Sequence, residues 1–176
     1  MPSDSFSEIP IVDFARWHEG TAAERRAFTD EVSAVCHQVG FFIAVNHGVD
    51  PALTESLFAT MKRLFALPVE IKQQIDKRKS RHFRGWEQVG TERTNNRPDI
   101  REQIDLWTER PAQHPDADPP YARLLGPNQW LADELLPGHR ELVEGWTAEL
   151  HRVGNDLLRI LSLGLGLGED HIATSF

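Results

Sequence analysis

One cysteine, one tyrosine and two methionines occur among 176 residues, and basic side chains are outnumbered by acidic ones, 19 to 27. The lone thiol, Cys36, excludes an internal disulfide and any zinc site built only of cysteine, and makes a reducing cytoplasm the expected compartment. The net charge of −8 excludes the basic footprint that displaces counterions from phosphate, so no nucleic-acid partner is expected. The one basic run, Lys72 to Arg84, is short and interrupted, and reads as a solvated helix end and loop. Long hydrophobic runs are missing too. The most apolar stretch, Leu157 to Gly168, is short and contains Arg159, so no membrane span is expected. The opening MPSDSFSEIP is acidic and lacks the basic-then-apolar order of a signal peptide.

Nucleotide motifs are also absent. Gly164-Leu165-Gly166-Leu167-Gly168 follows a helical stretch and fails the G-x-G-x-x-G spacing, and no G-x-x-x-x-G-K-[ST] loop occurs. No internal repeat is found. What remains is a chain with 40% hydrophobic and 26% charged residues, an ordinary composition for one folded domain or the larger part of one.

Its elements are read from period and punctuation. Ile9 to Phe14 is a short apolar strand with a proline near its start. Thr21 and Glu24 form a capping box ahead of a helix whose apolar face carries Phe28, Val32, Val35, Cys36 and Val39. Cys36 therefore reads as a small core residue. Gly40 stops this helix, and Phe41 to Val45, uncharged and rich in aromatic and β-branched residues, read as a strand covered on both faces. Asp50-Pro51 starts a second helix with Leu53, Leu57, Met61, Leu64 and Phe65 on one side, and Leu67 to Glu70 restart a shorter one. Ile104 to Trp107 is a strand candidate, and residues 111–120, with four prolines, form an irregular loop. A long helix begins near Gly138, with Leu142, Trp146, Leu150, Val153, Leu157, Ile160 and Leu161 on its apolar face.

In the order IPIVDF, helix, GFFIAVNHGV, helix, LFALPVEIK, the chain resembles the N-terminal region of the isopenicillin N synthase-like iron(II)- and 2-oxoglutarate-dependent oxygenases. Phe65, Leu67, Pro68, Glu70 and Lys72 match the last motif. Arg84-Gly85-Trp86, Asp99 to Asp105 and Gly126-Pro127-Asn128-Gln129-Trp130 resemble later ones. The resemblance implies an α+β chain: a helical N-terminal region plus outer strands of a double-stranded β-helix whose barrel core is missing. Residues 1–8 would be a tail, 9–165 the dioxygenase N-terminal region, and 166–176 the start of a connection to an absent jelly-roll domain.

That family's chemistry uses two histidines and one carboxylate on iron(II), with 2-oxoglutarate as cosubstrate. Its H-x-D form occurs once, as His114-Pro115-Asp116, with His171 following 57 residues later at a tempting spacing. The proline-rich setting argues against these three as ligands, because both side chains must project together from a strand edge. No iron or 2-oxoglutarate is therefore expected on this chain alone, and the isolated chain is expected to be inactive. His47 is followed two residues on by Val49, which fails the H-x-D test, so Asn46-His47-Gly48 reads as a turn. His37 and His151 sit within helices between apolar positions and read as residues at the edge of the apolar face, not ligands, and His82, beside Arg81 and Arg84, is a candidate for approaching an anionic substrate.

For a small-molecule substrate the resemblance points to Arg84, Trp86 and Glu92. Arg84 would pair with a carboxylate and Trp86 would supply a flat apolar wall; a buried Trp86 and a solvated Arg84 are the structural alternative. Partners beyond a substrate would be a barrel domain or a second chain. Two other functions stay open: a non-catalytic interaction module, or one chain of a two-chain oxygenase.

Overall fold

A computed structural model describes residues 8–114, 116 and 119–175. The chain divides into two compact units, one made of Met1–Pro51 with Ala148–Phe176 and the other of Ala52–Thr147. Both mix helix with short strands, as the α+β expectation requires, and the described strands form three two-stranded sheets. Among the described residues no helix is long and apolar enough to cross a membrane.

The first unit holds β1 (Ile11–Asp13), α1 (Ala15–His18), α2 (Ala22–Gln38), β2 (Ile43–Val45) and the C-terminal part of α5 (His139–Gly164). The strands are parallel, with Ile11 opposite Ile43, Val12 opposite Ala44 and Asp13 opposite Val45. Because side chains alternate along a strand, Val12 and Phe14 turn into a core with Trp17, Phe28, Val32 and Ile160, against which Phe42, Ala44 and Cys36 pack. Phe14 meets Phe28 edge to face at 5.6 Å, the arrangement that aromatic quadrupoles favour. The capping box forms as the sequence predicts: the Glu24 carboxylate accepts from the Thr21 amide at 2.8 Å, and the Thr21 hydroxyl accepts from the Glu24 amide at 3.4 Å.

Two expectations change here. β1 is shorter than Ile9 to Phe14, because Phe14 already enters the turn into α1. The second strand spans Ile43–Val45 and, in this chain, is covered on one face only. Ile11 and Ile43, paired on the outer face, are 64% and 48% exposed.

The second unit carries most of α3 (Pro51–Ala66), then α4 (Val69–Lys72), β3 (Gly85–Glu87), β4 (Arg93–Thr94), β5 (Arg97–Pro98), β6 (Gln103–Asp105) and the start of α5. Its core is Leu64, Ile75, Trp86, Leu131 and Leu136. β3 pairs antiparallel with β6, Trp86 opposite Ile104. The expected strand at Ile104 to Trp107 ends earlier because both backbone groups of Trp107 bond to the Asn128 side chain, at 2.9 and 2.7 Å. The β4–β5 hairpin was not legible as a periodic run. It turns on Asn95 and Asn96, both at positive φ, the backbone that a two-residue hairpin turn demands. On α5 the buried positions include Val143 and Ile160, whereas Leu150, expected on the apolar face, is 41% exposed.

Candidate functional site

In the second unit a backbone constraint places β3. Gly85 sits at φ +121°, and a Cβ there would stand 2.2 Å from the Ile75 carbonyl oxygen and 2.5 Å from the Gln129 amide nitrogen. Only glycine allows so close an approach. Gln129 closes the arrangement by donating to the carbonyls of Asp76 at 2.9 Å and Arg84 at 2.7 Å. Trp86, the next residue, is then 1% exposed. Its indole N–H donates to Glu102 at 2.5 Å. Glu102 also binds the ammonium of Lys72, itself 5% exposed, which donates in addition to the Phe65 carbonyl at 2.8 Å. A buried lysine is tolerable only with its charge matched and its protons used, and this clasp does both.

Beside the clasp lies a cleft of about 210 Å³, lined by Asp76, Lys77, Arg78, Phe83, Trp86 and Glu87 among others. The Lys77 ammonium pairs with Asp105 at 2.6 Å and Glu87 at 3.2 Å, and Gln103 donates to the same Glu87 at 2.7 Å. Burial opposes the Lys77 charge, but the bonds to Asp105 and Glu87 outweigh it and raise its pKa. Lys77 is therefore a fixed cation and not a general base at neutral pH. Hydrogen bonds from Arg78 hold the Asp76 carboxyl below the usual carboxylate range, against the opposing effect of burial. Phe83 stands at φ +61° with its ring 64% exposed and the Lys77 ammonium 4.6 Å from the ring centre. A non-glycine residue at positive φ costs about 1–3 kcal/mol, offset in part by that cation–π contact, worth about 0.5–1 kcal/mol when exposed. The cleft thus offers an aromatic face beside charges already paired.

The residues singled out in the sequence do not converge there. Trp86 reaches the cleft as part of its lining while its ring belongs to the core. Arg84 donates to the carbonyls of His82 at 2.6 Å, Phe83 at 3.2 Å and Leu124 at 3.3 Å, and lies over the exposed Trp107 ring at 5.7 Å. Glu92 accepts from Arg101, at 3.0 Å from Nε. Lys77 and Phe83 were missed: the first sat inside a run read as solvated, and nothing in the local sequence announces a phenylalanine at positive φ.

The histidines take structural places. His82 is buried, with Nδ1 2.9 Å from the Arg123 carbonyl and its ring so close to Gly126 that a Cβ there would approach to 2.4 Å. In the first unit, His47 Nδ1 accepts from the Val49 amide at 3.2 Å, and its carbonyl accepts from Arg152 at 3.1 Å. Asn46, at positive φ, donates to Asp13 at 2.9 Å, so Asn46-His47-Gly48 is a turn pinned at both ends. His114 and Asp116 form a local turn of the second unit, 3.7 Å apart, with side chains 76% and 89% exposed. Pro115 lies outside the described residues. His171 belongs to the first unit, in the short segment after α5, where its amide donates to the Gly168 carbonyl at 3.0 Å. Among the described residues no group of three or more His, Cys, Asp or Glu side chains could hold a metal ion.

Residues 9–133 match the sequence family described as non-haem dioxygenase in morphine synthesis, N-terminal. The 2-oxoglutarate-dependent dioxygenase frbJ of Dothideomycetidae sp. (strain 11243) is 34% identical over 168 residues, which cover 94% of this chain and 44% of frbJ. The 2-oxoglutarate-dependent dioxygenase tropC of Talaromyces stipitatus is 32% identical over 163 residues, 89% of this chain and 49% of tropC. Among solved structures, a 2OG-Fe(II) oxygenase family protein from Caulobacter crescentus superposes with a TM-score of 0.75 at 25% identity, covering 94% of this chain and 51% of that one. A full-length Neurospora crassa protein in complex with alpha-KG also gives 0.75, at 21% identity over 93% of this chain and 49% of that one, a likeness of fold. The chain spans about half the length of the curated relatives it matches.

Proposed function

We propose, from the premise that this chain belongs to the non-haem dioxygenase N-terminal family, that it is the N-terminal part of an iron(II)- and 2-oxoglutarate-dependent oxygenase acting on a small organic substrate. In this reading iron and 2-oxoglutarate are held by a jelly-roll half, and the isolated chain, residing in a reducing cytoplasm, carries no oxygenase activity. The observation that supports it best is the use made of the motif residues. Lys72, Trp86, Glu102, Asn128 and Gln129 bond to one another or to backbone and so build the second unit. They hold a scaffold and leave the oxidative chemistry to donors elsewhere.

Substrate contact belongs to the rim of that scaffold. Phe83 would offer its exposed ring there, with the buried Trp86 behind it, and Arg84 and Glu92 would flank it through their contacts with Trp107 and Arg101. A second reading, a non-catalytic interaction module, is favoured by the exposed outer face of β1 and β2.

Iron(II) titration of the purified chain with and without 2-oxoglutarate tests the proposal. The chain alone is expected to show no stoichiometric binding. Joined to the portion of frbJ beyond its match, it is expected to gain 2-oxoglutarate-dependent iron binding and 2-oxoglutarate turnover. Tight stoichiometric iron binding by the chain alone would overturn the assignment of the metal to the other half.

A further inference from the structure

Beside its core face, α2 carries a second stripe at helical spacing, Ala22, Arg25, Arg26, Thr29 and Asp30, and the end of α5 returns to it within the first unit. The Gly166 amide donates to the Leu163 carbonyl and the Leu167 amide to the Ser162 carbonyl, both at 2.9 Å, with Gly166 at φ +74°. This paired ending turns the chain sharply as the helix stops. It brings Glu169 back beside α2, where its carboxylate accepts from Arg25 at 3.1 Å. Arg25 is fixed a second time, its guanidinium 3.9 Å from the centre of the buried Trp17 ring. Between the stripe and the turn lies a groove of about 440 Å³, within the roughly 300–1,000 Å³ of small-molecule pockets.

We propose that this groove binds an apolar α-amino acid as its zwitterion, at a site independent of the oxygenase reading above. Its charges select the ligand. Arg25 is matched by Glu169, and the nearby Arg16 by Glu31. Arg26 and Asp30 line the groove and, among the described residues, form no ion pair with each other or with any other side chain. A base four residues ahead of an acid is the weaker order for a pair within a helix, so one cation and one anion stay open. Side chains at that spacing start from Cβ atoms about 5–6 Å apart, which brackets a molecule whose carboxylate and ammonium share one carbon. A carboxylate alone would leave Asp30 as a repelling neighbour, and an amine alone would leave Arg26. The rest of the groove is suited to an apolar side chain: Leu163 and Leu167 line it at 38% and 39% exposed. The buried Thr29 hydroxyl, which donates to the Arg25 carbonyl at 2.9 Å, keeps acceptor capacity for the ammonium. The carboxylate thus meets Arg26, the ammonium Asp30, and the side chain covers the two leucines.

L-Leucine, 4-methylpentanoate and 3-methylbutylamine share one side chain and differ only in the charges they carry, so they test the proposal by NMR titration of the purified chain. L-Leucine is expected to move the amide signals of residues 22–30 and 163–169 at millimolar concentration, and each single-charge analogue to bind at least about threefold more weakly, as the loss of one exposed ion pair predicts. Arg26→Gln and Asp30→Asn, both at exposed positions, should each weaken leucine binding by about the same factor and leave the rest of the spectrum unchanged. Glu55→Gln, exposed on α3, should leave the affinity intact. Equal binding of 4-methylpentanoate would make the groove a carboxylate site and equal binding of 3-methylbutylamine an amine site, and either would overturn the zwitterion. Leucine affinity unchanged in both groove variants would overturn the site. So would amides that respond to leucine neither in the chain alone nor in the chain joined to the portion of frbJ beyond its match. Iron(II) binding by that fusion is read separately, so the loss of this site leaves the oxygenase reading standing.

Discussion

The two units solve the same problem with different forces. The first closes on aliphatic and aromatic side chains: Val12, Phe14, Trp17, Phe28, Val32 and Ile160 meet without a buried charge among them. The second, with less regular structure, surrounds Leu64, Ile75, Trp86, Leu131 and Leu136 with polar clasps, Lys72–Glu102–Trp86, Lys77–Glu87–Asp105 and the amides of Asn128 and Gln129. An irregular chain leaves many backbone groups unpaired, and they must find partners or cost free energy. Long polar side chains supply those partners.

This contrast can be broken from either side. In the first unit, Phe28→Ala removes an aromatic ring from a dry core and is expected to cost about 3–5 kcal/mol, read by urea unfolding. An effect near 1 kcal/mol would mean the core is looser than its burial implies. In the second unit, Glu102→Ala strands the buried Lys72 ammonium, with an expected loss of about 3 kcal/mol. The double change Lys72→Met with Glu102→Leu should recover at least half of that loss, because it removes both charges. No recovery would show that the clasp acts through the Trp86 bond alone.

Titration separates the units further. The Asp76 carboxyl, held down by Arg78, contributes stability that is present above its unfolded pKa and lost as the pH falls through its lower folded value. Asp13 and Glu24, lowered by Asn46 and Thr21 respectively, follow the same sign in the first unit. Both units should therefore weaken below about pH 4. Lys77 has the opposite sign. Its pKa is raised on folding, so its contribution is complete below the ordinary lysine value near 10.4 and lost above it. Lys77 lies in the second unit. Hydrogen exchange above that pH should accelerate there before it does in the first.

Smaller effects sharpen the picture within the first unit. Thr21→Ala should cost about 1 kcal/mol by loss of the capping box. Ile11→Lys, on the exposed outer face of β1, should change the stability of the isolated chain by no more than about 0.5 kcal/mol. A loss above 2 kcal/mol would mean that this face is already covered in solution.

Much of this was legible in the chain. The capping box at Thr21 and Glu24, the stop at Gly40 and the start of α5 depend on contacts within a few residues, and local chemistry specifies them; the turn at Asn46-His47-Gly48 was legible too, although Asp13 and Arg152 pin it from farther along the chain. The limits of β6 were not legible, because Asn128 takes both backbone groups of Trp107 from across the unit. Nor was the fate of the candidate site. Arg84 and Trp86 each had two readings in the sequence, and only the fold shows Arg84 donating to three carbonyls and the Trp86 ring lying in the core. Phe83, 64% exposed on the cleft, carried no signal because nothing in the local sequence marks a phenylalanine for positive φ.

By itself, then, the order of residues determined the family, through the order of its motifs, and the elements whose period and caps are local, since those elements follow from the conformational preferences of neighbouring residues. Only the tertiary structure decided which motif residues are scaffold and which reach solvent. Lys72 and Glu102 are thirty residues apart and become one clasp when the end of α4 meets the residue that leads into β6. Ile11 and Ile43 become one exposed face when two strands pair. Burial and charge pairing are properties of what a side chain meets, and partners so distant in sequence meet only in the fold.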